Sequence, residues 1–362
     1  MMRVLMISMD PNLVDPDSEV NQRMALYVRV LEKLSIISLN TYKKSPARKL
    51  QNVLKAWFEG RRRIKRESFN IITAQDPFVC GIVAYLLAKE FNLPLQLQIH
   101  TGVFTPYFWS ESLKNKLFVL MAKFLISRAD CIRVVSEGIK RYIMETMKLS
   151  APQVSVLPVY VDLDRYLNGK AKVNLHKKYP HFDFIILMAC RLFGQKNISL
   201  AIRAVRQLSK KYPRLGLLIV GSGPLEGRLK KESEDIRVNV AFESWSDDLV
   251  SYYKTADLFL LTSVYEGWAR TVIEAMASGT PIIMSDVGLA GEIVENGKNG
   301  IVVPVGDEAA VVAAIEDLYR NPKKREMLSK SAYQTIVNLE LRYKEKYLKL
   351  YEASFRSCIK SE

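Results

Sequence analysis

Short apolar runs alternate along this chain with longer stretches in which apolar residues recur at helical spacing. The runs at residues 3–8, 34–39, 70–74, 94–100 and 131–135 predict strands in the first half. Those at 184–189, 216–220, 258–261, 281–284 and 300–303 predict strands in the second. Helical patterns lie between them, as at 78–91, 199–212 and 271–278. Strands that alternate with helices argue for parallel sheets covered on both faces. Two series of about five strands predict two doubly wound α/β domains. Turn-rich sequence around residues 158–182 marks the boundary. Residues 341–359 read as a polar helix with Leu, Tyr and Phe on one side.

Composition fits this picture. The 362 residues are 49% hydrophobic and 25% charged, a globular balance at a length natural for two domains. The start, MMRVLMISMDPN, is too briefly apolar for a signal peptide, and the greasy stretch 117–126 is too short to span a bilayer. Cys80, Cys131, Cys190 and Cys358 are scattered singly, without metal-site or redox spacing, which fits a reducing, cytosolic compartment.

Charge changes the picture more. The net charge is +15, and residues 1–170 carry 25 Lys and Arg against 15 Asp and Glu. Residues 43–66 hold ten basic residues and one acid, with Trp57 and Phe58 among them. Such a surface attracts anions: nucleic acid, anionic lipid or phosphorylated substrates.

In doubly wound proteins ligands bind beyond the carboxyl ends of the strands, and three motifs fall there. CRLFGQKN follows the strand 184–189 and places Arg191 and Lys196 on a glycine-containing loop, two cations suited to a diphosphate. GSGP follows 216–220, where Gly221 and Gly223 allow close backbone approach. YEGWARTVIEAMASGTPII sets Glu266 and Glu274 eight residues apart around a helix start. A helix N-terminus favours phosphate, and carboxylates at its edge can accept from sugar hydroxyls. Each motif alone is also compatible with solvated surface charge or an ordinary turn.

Together and in order, these pieces resemble the retaining glycosyltransferases of family 4, the group 1 transferases of GT-B architecture. The resemblance is carried by Arg191 to Lys196, the GSGP turn, the Glu266–Glu274 segment, and Gly288 to Gly300 with Glu292 inside it. It is strong over residues 184–306 and weaker before them. It implies two Rossmann-like domains facing across a cleft. Residues 1–162 would take the acceptor and face the membrane, 163–338 would bind the nucleotide sugar, and a helix in 339–362 would pack back towards the first domain.

The resemblance also implies the roles. Arg191 and Lys196 would neutralise the diphosphate in place of a metal, so no metal or other cofactor is expected. Glu266 would contact the donor sugar and Glu274 the ribose hydroxyls, with Glu274 and Lys196 at an open cleft. Gly267, Trp268, Ala269, Arg270 and Thr271 would offer backbone N–H groups to phosphate or sugar. His100, at the end of QLQIH, would touch the donor sugar or orient the acceptor. The implied partners are a nucleotide-sugar donor, UDP- or GDP-linked, and a glycan or lipid-linked acceptor. The implied activity is that of a retaining hexosyltransferase in cell-envelope polysaccharide or glycolipid synthesis. A nucleotide-sugar epimerase shares this architecture. A basic nucleic-acid-binding protein would fit the charge alone, but no nucleic-acid module is visible, and nucleic acid is not an expected partner.

Two departures stand out. The loop after the first strand, SMDPNLVDPDSEVNQRM, has no glycine where many relatives have two, and Asp10, Asn12 and Arg23 fall on it. Val159 and Tyr160 replace the usual Asn-Gly near the domain crossing. Residues 43–66, including Arg61, Arg62 and Arg63, and residues 104–124, with FTPYFW, Lys114, Lys116 and Lys123, read as facing an anionic membrane surface on the cytoplasmic side.

Overall fold

The computed structural model describes residues 2–39, 48–149 and 153–359. They form two compact units, one of the described residues up to 160 and from 343 onward, and one of 161–342.

The first unit is built on β1 (Arg3–Ser8), β2 (Lys33–Ser38), β3 (Ile71–Ala74), β4 (Leu95–Ile99), β5 (Cys131–Val134) and β6 (Val154–Val156). Their order is β2-β1-β3-β4-β5-β6 and every pairing is parallel. Val4, Leu5, Ile7, Ile71 and Leu97 are fully buried, because parallel strands are covered by their crossover helices on both faces. The chain steps from β1 outward to β2 and then returns to the other side of β1, so the topological switch lies between β1 and β3.

The helix Lys344–Arg356 completes this unit. Tyr347, Tyr351 and Phe355, spaced by four, turn one face inward. Tyr351 stacks on Tyr27 with centroids 3.9 Å apart, and the Tyr27 and Tyr347 hydroxyls are 3.1 Å apart. Just beyond the helix, Cys358 forms a disulfide with Cys131 on β5. The expectation of four unpaired thiols is therefore corrected for this pair, while Cys80 and Cys190 are free and buried. The partners are 227 residues apart, a pairing only the folded topology creates.

The second unit contains β7 (Phe184–Ala189), β8 (Leu215–Val220), β9 (Val240–Glu243), β10 (Leu258–Leu261), β11 (Ile282–Ser285) and β12 (Ile301–Val303). Their order, β12-β11-β10-β7-β8-β9, is again wholly parallel and reverses between β7 and β10. The helix Ile198–Ser209 lays Ile198, Ala201, Ile202, Val205 and Leu208 against the sheet. Each such aliphatic side chain contributes roughly 1.5–3 kcal/mol by burial.

Among the described residues each sheet thus has six strands, not the expected five. The additional ones, β6 and β9, are edge strands of three and four residues. Their apolar signal is short, and β9 is only partly buried.

Candidate functional site

The carboxyl ends of β7 and β10 flank the switch point of the second unit, and the loops leaving them are stitched together. Thr262 Oγ1 bonds the carbonyls of Lys196 and Asn197 at 3.0 Å each. Gln195 Nε2 donates to the Tyr265 carbonyl at 2.8 Å, and the Val264 N–H donates to the Gln195 carbonyl at 2.9 Å. This lacing fixes where the next side chains stand. Lys196 Nζ contacts Glu266 Oε1, and Ser263 Oγ donates to the same oxygen at 2.6 Å. The pair is largely shielded, with side-chain exposures of 14% for Lys196 and 8% for Glu266. Arg191 stays exposed, its guanidinium 5.4 Å from the Phe193 ring centre.

After Glu266 the chain turns through Gly267, Trp268 and Ala269 into the helix Arg270–Ala277. Ala269 adopts φ 49°, a left-handed conformation that costs a non-glycine residue of order 1 kcal/mol. No side chain caps this helix, so Arg270 and Thr271 begin it with backbone N–H groups at an uncapped, positive dipole end. Trp268 and Ala269 are buried. Gly288, at φ 58°, packs against Glu266: a Cβ on it would lie 3.0 Å from the Glu266 Cβ.

Glu274 departs from its expected place at an open cleft. It is 3% exposed, on the inner side of the helix, and accepts from the Tyr253 hydroxyl at 3.0 Å and from Arg270 at 3.5 Å. Burial, and then the Glu274 carboxylate, push the Tyr253 phenol well above its ordinary pKa. Lys196 likewise lies in the shielded pair and not in the open. Gly221 and Gly223 owe their missing side chains to the neighbouring loop. A Cβ on Gly221 would lie 1.9 Å from the Cys190 carbonyl oxygen, and one on Gly223 2.5 Å from that of Leu192. These approaches hold the loops after β7 and β8 together.

His100 belongs to the first unit, at the end of β4, and is described with it. It lines a cavity of about 280 Å³ at that unit's own switch point, together with Asp10, Arg23, Asp76 and Arg133. His100 Nε2 lies 3.1 Å from Gln98 Oε1. Burial, then the Arg133 and Arg23 charges, lower its pKa to about 3, so the imidazole is neutral at pH 7. Asp10 and Arg23 of the glycine-free loop line this cavity; Asn12 instead donates its N–H to Asp10 Oδ1 at 3.0 Å.

Sequence reasoning missed Tyr253, Ser263, Gln98, Arg133 and Tyr351. A signal existed for two of them: Gln98 and Arg133 are polar residues inside the apolar strands LQLQI and CIRV.

Of the two segments expected to face a membrane, residues 43–66 and 104–124, Lys43 and Lys44 lie outside the described residues. Arg61 donates to Glu90 at 2.6 Å, and Arg63 donates to Glu59 at 2.8 Å and to Ser35 at 2.8 Å. Arg62 pairs with Glu59 at 2.5 Å. The arginine run thus ties its helix, Arg48–Arg66, to the unit and to its own acid. The helix Leu113–Ile126 buries Val119, Ala122, Leu125 and Ile126. Its other face exposes Leu113, Leu117, Leu120 and Phe124 in one stripe, flanked by Lys114, Lys116 and Lys123. Among the described residues no helix is long and apolar enough to cross a membrane.

Comparison with known proteins covers both units. The family profile described as "Glycosyl transferases group 1" matches residues 173–335, and that described as "Glycosyltransferase Family 4" matches residues 23–165. The chain is 23% identical to the alpha-D-kanosaminyltransferase of Streptomyces kanamyceticus, over 90% of this chain and 88% of that one. It is 25% identical to the UDP-Gal:alpha-D-GlcNAc-diphosphoundecaprenol alpha-1,3-galactosyltransferase of Escherichia coli, over 76% of this chain and 72% of that one. Among solved structures, the sucrose-phosphate synthase of Thermosynechococcus elongatus superposes with TM-score 0.80 at 20% identity, covering 98% of each chain. HepE of Anabaena in complex with UDP-glucose superposes with TM-score 0.75 at 17% identity, over 98% of this chain and 99% of that one. At such identities the likeness shows the fold.

Proposed function

The chain belongs to the group 1 glycosyltransferases of family 4, with their two-domain α/β GT-B fold, and from that membership we propose its reaction. It transfers a hexosyl unit from a nucleoside diphosphate sugar, with retention and without a metal ion. The acceptor is a glycan or lipid-linked sugar of cell-envelope polysaccharide or glycolipid synthesis, at the cytoplasmic face of the membrane.

The observation that carries this reading is the meeting of Lys196 and Glu266 beside an uncapped helix start, at the switch point of the second unit. A leaving diphosphate needs fixed positive charge where its own charge develops, and Lys196, Arg191 and the N–H groups at Arg270 and Thr271 supply it. Glu266 accepts from a hydroxyl of the sugar while Ser263 and Lys196 hold its orientation. Buried Glu274, oriented by Tyr253, accepts from the ribose. Such a site works by positioning and by charge, which is the larger part of what group transfer from a diphosphate requires.

Solved structures of similar fold contain UDP or UDP-glucose, which supports a uridine nucleotide. The Escherichia coli relative is named for a diphosphoundecaprenol-linked acceptor, which supports a lipid-linked one. The exposed stripe of the helix Leu113–Ile126, with its lysines, supports contact with an anionic membrane surface.

Thermal unfolding with UDP, GDP, ADP and TDP, with magnesium or with chelator, tests the reading. One nucleoside diphosphate should stabilise the protein by ~2.7 kcal/mol at a hundredfold excess over its Kd, equally with and without magnesium. No stabilisation by any of the four would overturn it.

A further inference from the structure

The cavity of the first unit holds a buried guanidinium that contacts no carboxylate of the described residues. Arg133, in the middle of β5, is 2% exposed. Its guanidinium donates to the carbonyls of Leu157 at 3.1 Å and Pro158 at 3.0 Å and to the Tyr347 hydroxyl at 3.2 Å. Its other close neighbours are the Tyr27 and Tyr351 phenols, and among the described residues no carboxylate pairs with it. Burying a cation without a counter-charge is costly, and proteins seldom do it without a use. Arg23 lines the same cavity. Two acids line the cavity as well, and each accepts from backbone N–H groups. Asp10 takes the Asn12 N–H, and Asp76 takes those of Phe78 at 2.8 Å and Cys80 at 3.2 Å.

A second observation fixes polarity at the cavity wall. The backbone carbonyl of Ser354 can only accept, so Gln96 must turn its Nε2 towards it, at 2.7 Å. Gln96 Oε1 then accepts from Thr73 Oγ1 at 3.0 Å, and Thr73 Oγ1 accepts from Gln98 Nε2 at 2.9 Å. Gln98 Oε1 is thereby left facing His100 Nε2, which must carry the ring proton of the neutral imidazole. His100 Nδ1 is consequently a bare acceptor, buried and without a protein partner among the described residues. The Tyr351 hydroxyl, on a fully buried side chain that also lines the cavity, is equally without one.

We propose that this cavity binds an anionic, hydroxyl-bearing group, a carboxylate or phosphate carried on a sugar, with the anion facing Arg23 and Arg133 and receiving the Tyr351 hydroxyl, and a sugar hydroxyl donating to His100 Nδ1. Identifying that group as the acceptor rests on the transferase reading; the binding itself does not. Gln98, Thr73 and Gln96 are positioning residues, acting through the His100 tautomer.

Calorimetric titration of the full chain, without donor, with glucuronate, glucose 6-phosphate, glucose and inorganic phosphate tests this. At least one sugar anion should bind about tenfold or more tighter than glucose, the effect of a hydrogen bond to a charged group. Glucuronate or glucose 6-phosphate as the tighter ligand identifies the anion, and inorganic phosphate alone should bind more weakly than either favoured sugar. Arg23→Gln and the isosteric Tyr351→Phe should each weaken the anion several-fold and leave glucose unchanged. Thr73→Val should break the relay and shift the nitrogen resonances of His100 towards a tautomer mixture. Equal binding of glucose and both anions, no binding of either anion, or simple competition between anion and UDP would overturn the proposal. Stabilisation by UDP that persists in Arg23→Gln would show that the transferase reading survives such a failure.

Discussion

Lys196 and Glu266 meet at the switch point of the second unit, each from a loop that leaves a different strand of one parallel sheet. Neither is held by its own loop alone: the Thr262 and Gln195 hydrogen bonds clamp the two loops before the side chains touch. Lys196→Ala would leave a shielded Glu266 carboxylate facing an incoming diphosphate without its counter-charge. Turnover at saturating donor should fall by roughly 10²–10³-fold, as when one preorganised charge stabiliser is removed. Glu266→Gln, which keeps the Ser263 contact, should lose less. Steady-state rates checked against the melting temperature separate these effects from misfolding, and near-normal turnover in Lys196→Ala would remove Lys196 from the reaction.

Glu274 behaves differently because it is buried. Glu274→Ala strands the Tyr253 hydroxyl, a loss of ~1–3 kcal/mol for an unsatisfied buried donor, and should lower both stability and turnover. Tyr253→Phe removes the donor and keeps the carboxylate. It should cost stability of about 1 kcal/mol while retaining most of the activity. A double-mutant cycle on unfolding free energy measures their coupling, and a coupling near zero would mean the bond contributes nothing.

The stripe on the helix Leu113–Ile126 gives a test of the proposed membrane contact. Leu117→Gln with Leu120→Gln should reduce co-sedimentation with anionic vesicles by about tenfold or more, since each leucine buried in lipid contributes roughly 1.5–3 kcal/mol. Neutralising Arg61, Arg62 and Arg63 should matter less to binding than to folding, because all three already have protein partners. Equal loss from the arginine variant would return that patch to the membrane account.

The depressed pKa of His100 gives stability a pH dependence of definite sign. In the folded chain burial, then the charges of Arg133 and Arg23, hold the imidazole at about 3. In the unfolded chain it takes its proton near 6.5. Below about pH 6.5 the unfolded state binds a proton that the folded state refuses. The contribution is therefore intact above pH 6.5 and is lost as pH falls towards 3. His100→Asn should shrink the drop in melting temperature between about pH 8 and about pH 5. An unchanged drop would show that other groups carry it.

Ten of the twelve strands among the described residues were legible because each is an apolar run bounded by turn residues, and the motifs at their carboxyl ends were legible for the same reason. β6 and β9 were not, since an edge strand of three or four residues makes too little apolar pattern. Chemistry at strand ends could be read, but pairing across the fold could not. Tyr253 precedes Glu274 by twenty-one residues on another helix, and nothing in the sequence joins them. Arg133 and Gln98 were visible as polar interruptions of apolar strands, yet their meaning depends on the helix Lys344–Arg356, more than two hundred residues away.

That same helix sets an order of events during synthesis. The second unit is one continuous stretch, residues 161–342, and can close as soon as it leaves the ribosome. The first unit, although its sheet is translated earlier, must wait with Tyr27 unstacked and Gln96 lacking its acceptor until residues 344–356 emerge. A nascent chain halted before that point would carry a finished second unit behind an open first one, with its aromatic seam exposed to chaperones. The half of the protein made first is the half that matures last.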